Sequence, residues 1–266
     1  MRCAARALAL ALPYIGALVA MGCGAAAAAD LVPHPLKSGT EFTGPDLRAL
    51  QADDFANPGM LWVVQGEKLW NEKRGPARRA CADCHGDGAR AMRGVAARYP
   101  AFDAEAGRVL DLDARIAWCA ARRQLAATPG PESPDLLALS AYVTQQSRGI
   151  PVRVTLDANT RPVLEAGRAL YTRRAGQMNL ACRHCHSDNW GRTLLSETIS
   201  QGHGTGWPAY RVEWQTLGSL QRRLRACFFG VRAELPDFGS DDLIALELFL
   251  AWRGAGLAME APAVRK

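Results

Sequence analysis

The chain has 266 residues, a formal net charge of +6, 48% hydrophobic residues, 22% charged residues and eight cysteines. This composition suits a globular protein with one large or two small domains, and it excludes disordered, collagen-like and multi-span membrane proteins. The modest positive charge comes almost wholly from arginine. Because the sequence has no lysine-rich run with interleaved aromatic residues, we expect no nucleic-acid partner.

The first 29 residues have the pattern of a secretory signal peptide. Arg2 and Arg6 are followed by an uncharged stretch from Ala7 to Ala29, which ends in three alanines. Cleavage after Ala29 would leave six cysteines in an exported, oxidising compartment, with no membrane span. An uncleaved anchor is the alternative, because the apolar stretch is just long enough to cross a bilayer.

Four of the six remaining cysteines belong to two C-x-x-C-H motifs. The motifs consist of Cys81, Cys84 and His85 and of Cys182, Cys185 and His186. Two thiols at this spacing can bond to the two vinyl groups of one haem, and the adjacent histidine can supply a nitrogen to the iron. A redox disulfide or half of a zinc site would not need the trailing histidine in both copies. The sequence therefore predicts two covalently bound haem c groups.

The two motifs lie in an internal repeat. Residues 66–70 (G-x-x-L-W) precede the first motif as residues 167–171 (G-x-x-L-Y) precede the second, 101 positions later. Further on, apolar residues at helical spacing predict closing helices over 134–148 and 241–253. Each copy is expected to contain a helix, the haem motif, a loop, a short cysteine-bearing helix and the closing helix.

The predicted fold is mainly α, with two tandem cytochrome c-like haem domains related by this repeat. Residues 30–150 would form an N-terminal extension and the first domain, residues 151–160 a linker, and residues 161–266 the second domain.

The ligand on the other face of each iron is predicted from the two cysteines that remain. No methionine recurs at equivalent places in both copies, whereas Arg115-x-x-x-Cys119 matches Arg223-x-x-x-Cys227. We therefore expect Cys119 to ligate the first iron and Cys227 the second. A disulfide between these cysteines and two buried free thiols are the alternatives. A thiolate ligand lowers the haem potential and suits a sulfur that itself reacts.

Strings outside these motifs resemble the SoxA family of dihaem cytochromes over most of the chain after residue 29. They are residues 38–39 (SG), 48–51 (RALQ), 53–54 (DD), 57–63 (NPGMLWV), 94–100 (GVAARYP), 146–149 (QSRG), 200–202 (SQG), 208–211 (P-x-Y-R), 218–223 (GSLQRR) and 230–234 (GVRAE). Such extended strings are far more specific than the haem motifs alone.

The resemblance implies a periplasmic L-cysteine S-thiosulfotransferase. Such an enzyme removes two electrons while it joins thiosulfate to a cysteine of the carrier protein SoxYZ. The electrons leave through SoxX, a monohaem cytochrome that forms a heterodimer with SoxA. The resemblance also implies that Cys227 is the catalytic, persulfide-forming cysteine and a haem ligand, that Arg223 binds the substrate, and that Cys119 ligates the first haem.

The residues themselves favour a similar reading of the second copy. Arg223 lies one helical turn before Cys227, and its planar fork suits a small dianion. For Arg115 we expect a structural or propionate-binding role, and for His203 a solvated loop position. Two other functions stay open from the residues alone: an electron-transfer dihaem cytochrome, and a dihaem thiosulfate dehydrogenase that forms tetrathionate.

Overall fold

The computed structural model describes residues 31–266, so the predicted signal peptide lies outside the described residues. The fold is mainly α. The helices are α1 (Pro45–Ala52), α2 (Met60–Asn71), α3 (Ala82–His85), α4 (Gly88–Ala91), α5 (Leu112–Cys119), α6 (Pro134–Gln145), α7 (Arg161–Thr172), α8 (Cys182–His186), α9 (Leu220–Gly230) and α10 (Asp241–Arg253). The strands are β1 (Ala101–Asp103), β2 (Arg108–Leu110), β3 (Thr193–Leu194), β4 (Glu197–Thr198), β5 (Ala209–Arg211), β6 (Thr216–Gly218) and β7 (Ala263–Arg265). The short strands lie before α5, before α9 and at the C-terminus. None of the helices among residues 31–266 is long and apolar enough to cross a bilayer.

Two helix pairs hold the molecule together: α2 packs along α6, and α7 packs along α10. In each pair a glycine allows the backbones to touch, because a Cβ at Gly66 would overlap the carbonyl of Ala138 and one at Gly167 would overlap that of Ala245. Aromatic rings close both crossings. The ring centroids of Trp70 and Tyr142 lie 5.7 Å apart in the first pair, and those of Tyr171 and Phe249 lie 5.0 Å apart in the second.

The two cysteine-bearing helices begin in the same way. Strands β1 and β2 form an antiparallel hairpin that leads into α5, and β5 and β6 form one that leads into α9. The side chain of Asp111 caps α5 by accepting from the N–H of Ala114, and that of Ser219 caps α9 by accepting from the N–H of Arg222. Cys119 is the last residue of α5, and Cys227 lies in the third turn of α9.

The predicted closing helices are present. The second has the expected bounds, Asp241–Arg253, whereas the first ends at Gln145, three residues before its predicted end. The segment predicted as a linker, 151–160, contains no helix but is packed rather than free. The N–H of Val152 donates to the carbonyl of Leu257 (2.9 Å), and Val152 is only 6% exposed.

The C-terminal segment ties the two helix pairs together. Strand β7 runs parallel to β5, which also pairs with β6, so these three strands form one sheet. The N–H of Gly149 donates to the carbonyl of Met259 (2.9 Å), and the side-chain amide of Asn57 donates to the carbonyl of Pro262 (2.9 Å). The last strand therefore contacts both halves of the chain.

Three carboxyl groups meet in a cavity of about 100 Å³ between α5 and α10. Gln221 donates to Asp111 (2.6 Å), Asp113 bonds with Ser140, and Glu247 faces both aspartates. Burial, reinforced by repulsion from Asp111, raises the pKa of Asp113 to about 7 and the pKa of Glu247 well above its usual value. The junction between the halves therefore holds protons that the unfolded chain would release.

We expect Gly167→Ala to lower the free energy of unfolding by about 2 kcal/mol or more, because its methyl group must displace the backbone of α10. Gly230→Ala is the matched control, since it adds a Cβ to another helical glycine that has open space around it. Denaturant unfolding of both variants checks this. Equal stability of the two variants would show that the close crossing does not matter.

The free energy of unfolding should fall as the pH rises from about 4 to about 7, because over this range the folded chain keeps the Asp113 proton that the unfolded chain has lost. The slope for one such carboxyl is at most about 1.4 kcal/mol per pH unit. Asp113→Asn should flatten the profile and make the protein more stable than wild type at about pH 8. Unfolding curves across this range test it, with the exposed Glu234→Gln as control; identical profiles for wild type and Asp113→Asn would contradict it.

Candidate functional site

The first C-x-x-C-H motif is the single turn of α3. The carbonyl of Cys81 accepts hydrogen bonds from the N–H groups of Cys84 (3.2 Å) and His85 (3.0 Å). Cys81 is half-buried against the core of the first helix pair, whereas Cys84 and His85 are exposed to solvent. The His85 ring lies 5.6 Å from that of Trp70. Two thiols and one imidazole thus lie within one turn of chain.

The second motif forms α8, and its last histidine is held more firmly. The Nδ1 atom of His186 is 2.8 Å from the carbonyl oxygen of Ser200, which can only accept, so Nδ1 carries the proton and donates. This leaves the Nε2 lone pair free for a metal. Gly202, at φ +75°, lies directly against the ring, where a Cβ would be 2.9 Å from the ring carbon Cγ.

One further cysteine lies near each motif. Burial and, after it, the nearby Cys119 together raise the pKa of Cys81 to about 11. Burial and, after it, Cys227 together raise the pKa of Cys182 to about 11, and the same two causes raise the pKa of Cys185. All six cysteines among residues 31–266 are unpaired, so the alternative of a disulfide between Cys119 and Cys227 is wrong.

The side chains at both motifs fit a haem c. Burial is the main cause that lowers the pKa of His186 to about 4, and burial of part of its ring, then the charge of Arg115, lowers the pKa of His85. Both imidazoles are therefore neutral at pH 7, as iron ligands must be. Residues 31–266 contain no group of three or more His, Cys, Asp or Glu side chains arranged to hold a metal ion, so the zinc alternative has no closed ligand set.

Arg223 is a cation of the second site that has no ion-pair partner among residues 31–266. Its side chain is half-buried on α9, one turn before Cys227, and no acceptor for its guanidinium is found within residues 31–266. Burial is the main cause that lowers the pKa values of His186 and Arg211, and the charge of Arg223 is close enough to both groups to lower them further. An unpaired guanidinium beside a thiol makes a pocket suited to a small anion.

The other candidate arginines are engaged elsewhere. Arg115 forms an ion pair with Asp103 and stacks on Trp118 (4.6 Å), which favours its structural role. On α9, Arg222 lies 3.7 Å from a Glu132 oxygen, and Arg225 donates to the carbonyl of Pro236. Of the arginines on α9, only Arg223 has a guanidinium without such a partner in the described chain.

His203 differs from its sequence expectation. It is 7% exposed rather than solvated, and its Nε2 lies 3.1 Å from the Gln201 side-chain oxygen. Burial, followed by the charges of Arg253 and His186, lowers its pKa to about 3, so it stays neutral. A polar, glycine-rich loop sequence suggests exposure, and only the folded chain shows that α10 covers this loop.

Sequence reasoning missed three residues of the second site. Ser200 orients His186 through its backbone carbonyl, which no side-chain pattern reveals. Arg211 is 9% exposed and lies near Arg223, and the P-x-Y-R string was the only signal for it. Arg253 is fully buried and donates to the carbonyl of His186 (2.7 Å). It ends a helix, where an arginine is usually exposed.

Comparison with known proteins identifies the family. Residues 65–152 match the family model described as SoxA/TsdA, cytochrome c domain. The chain is 40% identical over 237 residues to a Pseudaminobacter salicylatoxidans protein named L-cysteine S-thiosulfotransferase subunit SoxA, covering 88% of this chain and 83% of that protein. A protein of the same name from Rhodovulum sulfidophilum is 36% identical, covering 86% and 80%.

A solved structure agrees with this relationship. The crystal structure of SoxXA from P. pantotrophus superposes with a TM-score of 0.84 at 34% identity, covering 87% of each chain. The match to a cytochrome c domain makes this chain a haem c protein. The chain belongs to the SoxA family of L-cysteine S-thiosulfotransferase subunits.

Proposed function

We propose that this chain is the catalytic subunit of a periplasmic enzyme that oxidatively couples thiosulfate to a cysteine of the carrier protein SoxYZ. One observation carries the proposal: the unpaired guanidinium of Arg223 lies one helical turn from Cys227, beside the second C-x-x-C-H motif. The names of the relatives support the reaction type. The signal-peptide pattern of residues 1–29 supports export.

Two tandem cytochrome c-like domains, with one haem each, are part of the proposal. The first would extend to residue 150 and the second from residue 161, joined by the packed segment 151–160. Their support is the parallel order of elements: a helix with a close-contact glycine, the motif, a hairpin, a cysteine-bearing helix and a closing helix occur twice. Each half would bind its haem through the same set of side chains.

The ligand roles follow from this arrangement. The first haem would be held by Cys81 and Cys84, with His85 and Cys119 as iron ligands. The second would be held by Cys182 and Cys185, with His186 and Cys227 as iron ligands. A bound haem supplies a redox centre for the electrons of the reaction and keeps a ligating sulfur deprotonated. The hydrogen bond from His186 to the Ser200 carbonyl orients the imidazole without any contribution from a bound haem.

Arg223 would bind and orient the substrate. Thiosulfate is a dianion, and the guanidinium can grip two oxygens of its sulfonate end, which directs the outer sulfur toward Cys227. The half-buried position of Arg223 strengthens this attraction relative to bulk water. The neighbouring Arg211 forms an ion pair with Glu213 (2.6 Å), so its charge is compensated and Arg223 would supply the positive potential that draws an anion into the site.

The overall reaction is an oxidative S–S coupling. One S–S bond forms between the outer sulfur of thiosulfate and the carrier cysteine, while one proton and two electrons are released. Cys227 would take part by covalent exchange: its sulfur first bonds to thiosulfate as two electrons leave, and the carrier thiolate then displaces it and takes the thiosulfate group. Cys227 leaves as the thiolate it was at the start.

The partner that takes up these electrons would be the monohaem cytochrome SoxX, bound as a heterodimer. The similarity to the solved SoxXA structure over 87% of this chain supports that assignment. The family model that matches residues 65–152 also includes TsdA proteins, so formation of tetrathionate without a carrier is the alternative to test.

Cys227→Ala should abolish transfer of thiosulfate to the carrier cysteine while both haems stay attached, because attachment needs only the motif cysteines. Carrier mass and haem content are the readouts, and Cys119→Ala is the matched variant, expected to retain transfer. Retained turnover in Cys227→Ala would indicate a plain electron carrier. Tetrathionate formed in the absence of SoxYZ would indicate a thiosulfate dehydrogenase.

The mass of the tryptic peptide 226–232 should rise by one sulfur, about 32 Da, in protein isolated from turnover, because water can cleave the thiosulfate adduct of Cys227 to sulfate and leave its outer sulfur on the cysteine. An adduct that is not cleaved would add the mass of the whole thiosulfate group. Reduction with dithiothreitol should remove the added mass. An unmodified peptide after turnover with thiosulfate would oppose a covalent role for Cys227.

Arg223→Ala should lower kcat/KM for thiosulfate about 10- to 100-fold, since a hydrogen bond to a charged group contributes about 1.5–3 kcal/mol. The kcat/KM of Arg223→Lys should lie between those of Arg223→Ala and the wild type. The control is Arg225→Gln on the same helix, whose side chain serves a backbone carbonyl instead. If Arg223→Ala and Arg225→Gln have equal effects, Arg223 is not the substrate-binding residue.

A further inference from the structure

Arg253 is the largest fully buried side chain of residues 31–266. It ends α10 and lies directly behind the second haem motif. Its guanidinium donates to the carbonyls of Leu31, Gln201 and His186 (2.7 Å for His186) and to the hydroxyl of Ser187 (3.2 Å). The full fork of the side chain is thus satisfied by neutral oxygen atoms.

No carboxylate balances this charge within the described chain. All the hydrogen-bond partners of Arg253 are uncharged, and the groups that act on its charge are Tyr171 and Cys182, both neutral at pH 7. Burying an uncompensated cation is costly, and arginine stays protonated even so. Because a buried, unbalanced positive charge does not stabilise the fold, Arg253 is expected to have a functional role.

The hydrogen bonds of Arg253 converge on His186 and on the loop beside it. One of them holds the backbone carbonyl of His186, and another holds the carbonyl of Gln201 in the loop that follows Ser200. The carbonyl of Ser200 in turn fixes the ring of His186. Arg253 therefore controls both the backbone of this histidine and the loop that orients its ring.

The described part of the first half, residues 31–150, has no equivalent cation at the matching position. Gln146 stands at the position that corresponds to Arg253, 107 residues earlier, the same offset that relates Leu136 to Leu243. The Gln146 side chain bonds only to the end of its own helix, at Tyr142 and Gln145. The structure also provides no hydrogen-bond partner for the ring of His85 among residues 31–266. The buried charge is a property of the second site alone.

We propose that Arg253 is a positioning residue of the second haem site that fixes His186 and raises the reduction potential of a haem bound there. The inference rests on the proposed ligation by His186 and Cys227. A thiolate ligand lowers the potential by donating negative charge to the iron. A fixed positive charge on the opposite, histidine side favours the reduced state and offsets part of that decrease.

The test measures the midpoint potential of each haem by spectroelectrochemistry on the haem-loaded full chain. Arg253→Gln installs the residue found in the first half and removes the charge, whereas Arg253→Lys keeps the charge but loses part of the hydrogen-bonded fork. Arg161→Gln is the control, because it removes an exposed arginine on α7 and changes net charge equally. Amide hydrogen exchange of residues 200–204 reports the positioning role separately.

We expect Arg253→Gln to shift the second haem to lower potential, with the first haem unchanged, and to speed exchange in residues 200–204. Arg253→Lys should keep the potential near wild type while exchange still rises, and Arg161→Gln should change neither. If Arg253→Gln does not fold, a lowered potential in Arg253→Lys overturns the proposal and an unchanged one supports it. A folded Arg253→Gln with wild-type potential also overturns it.

Failure of this inference can be told apart from failure of the proposed function. Cys227→Ala and His186→Met test ligation directly, because each should change the absorption spectrum of the second haem. If those spectra stay unchanged, the ligand assignment is wrong. If they change while Arg253→Gln leaves the potential unaltered, only the role of Arg253 is wrong.

Discussion

The architecture depends on a close backbone crossing between two helices, made twice. Because Gly66 and Gly167 have no side chain, each first helix lies directly against its closing helix, and a large residue at either position would separate them. The haem motif follows each first helix after a short loop, and the cysteine-bearing helix precedes each closing helix. The crossing thus brings a thiol from late in each half toward a motif from its beginning, although 34 residues separate His85 from Cys119 and 41 separate His186 from Cys227.

The two halves share this plan but differ in how much the protein surrounds the motif. His186 is bonded through Nδ1, packed on Gly202 and backed by Arg253, whereas His85 contacts Trp70 and is otherwise exposed on the polypeptide. The free guanidinium also belongs to the second half, since Arg115 is paired with Asp103. The protein therefore surrounds the second motif far more closely than the first, and the two halves are not equivalent around their motifs.

Periodicity and spacing predicted the helical class, the bounds of α10 and the paired motifs, because each of these depends on residues that are near one another in sequence. The remaining features depend on distant segments meeting. Asp113 and Glu247 face each other only once the two halves pack, and the burial of His203 requires α10 to cover its loop. Arg253 looks like an ordinary helix-ending arginine until Leu31, His186 and Gln201 turn their carbonyls toward it.

Leu217, a residue of β6 in the second half, is completely buried in the hydrophobic cluster of the first helix pair, beside Val63 and Trp70. Met259 is likewise enclosed by Ala97 and Val152. The two halves are therefore not separable modules, because each half completes the hydrophobic interior of the other. A fragment that contains only one half would expose apolar residues that the other half buries. Thermal unfolding is therefore expected to be a single cooperative transition. A chimera that joins halves of two homologues would need matching residues at the contact between the halves.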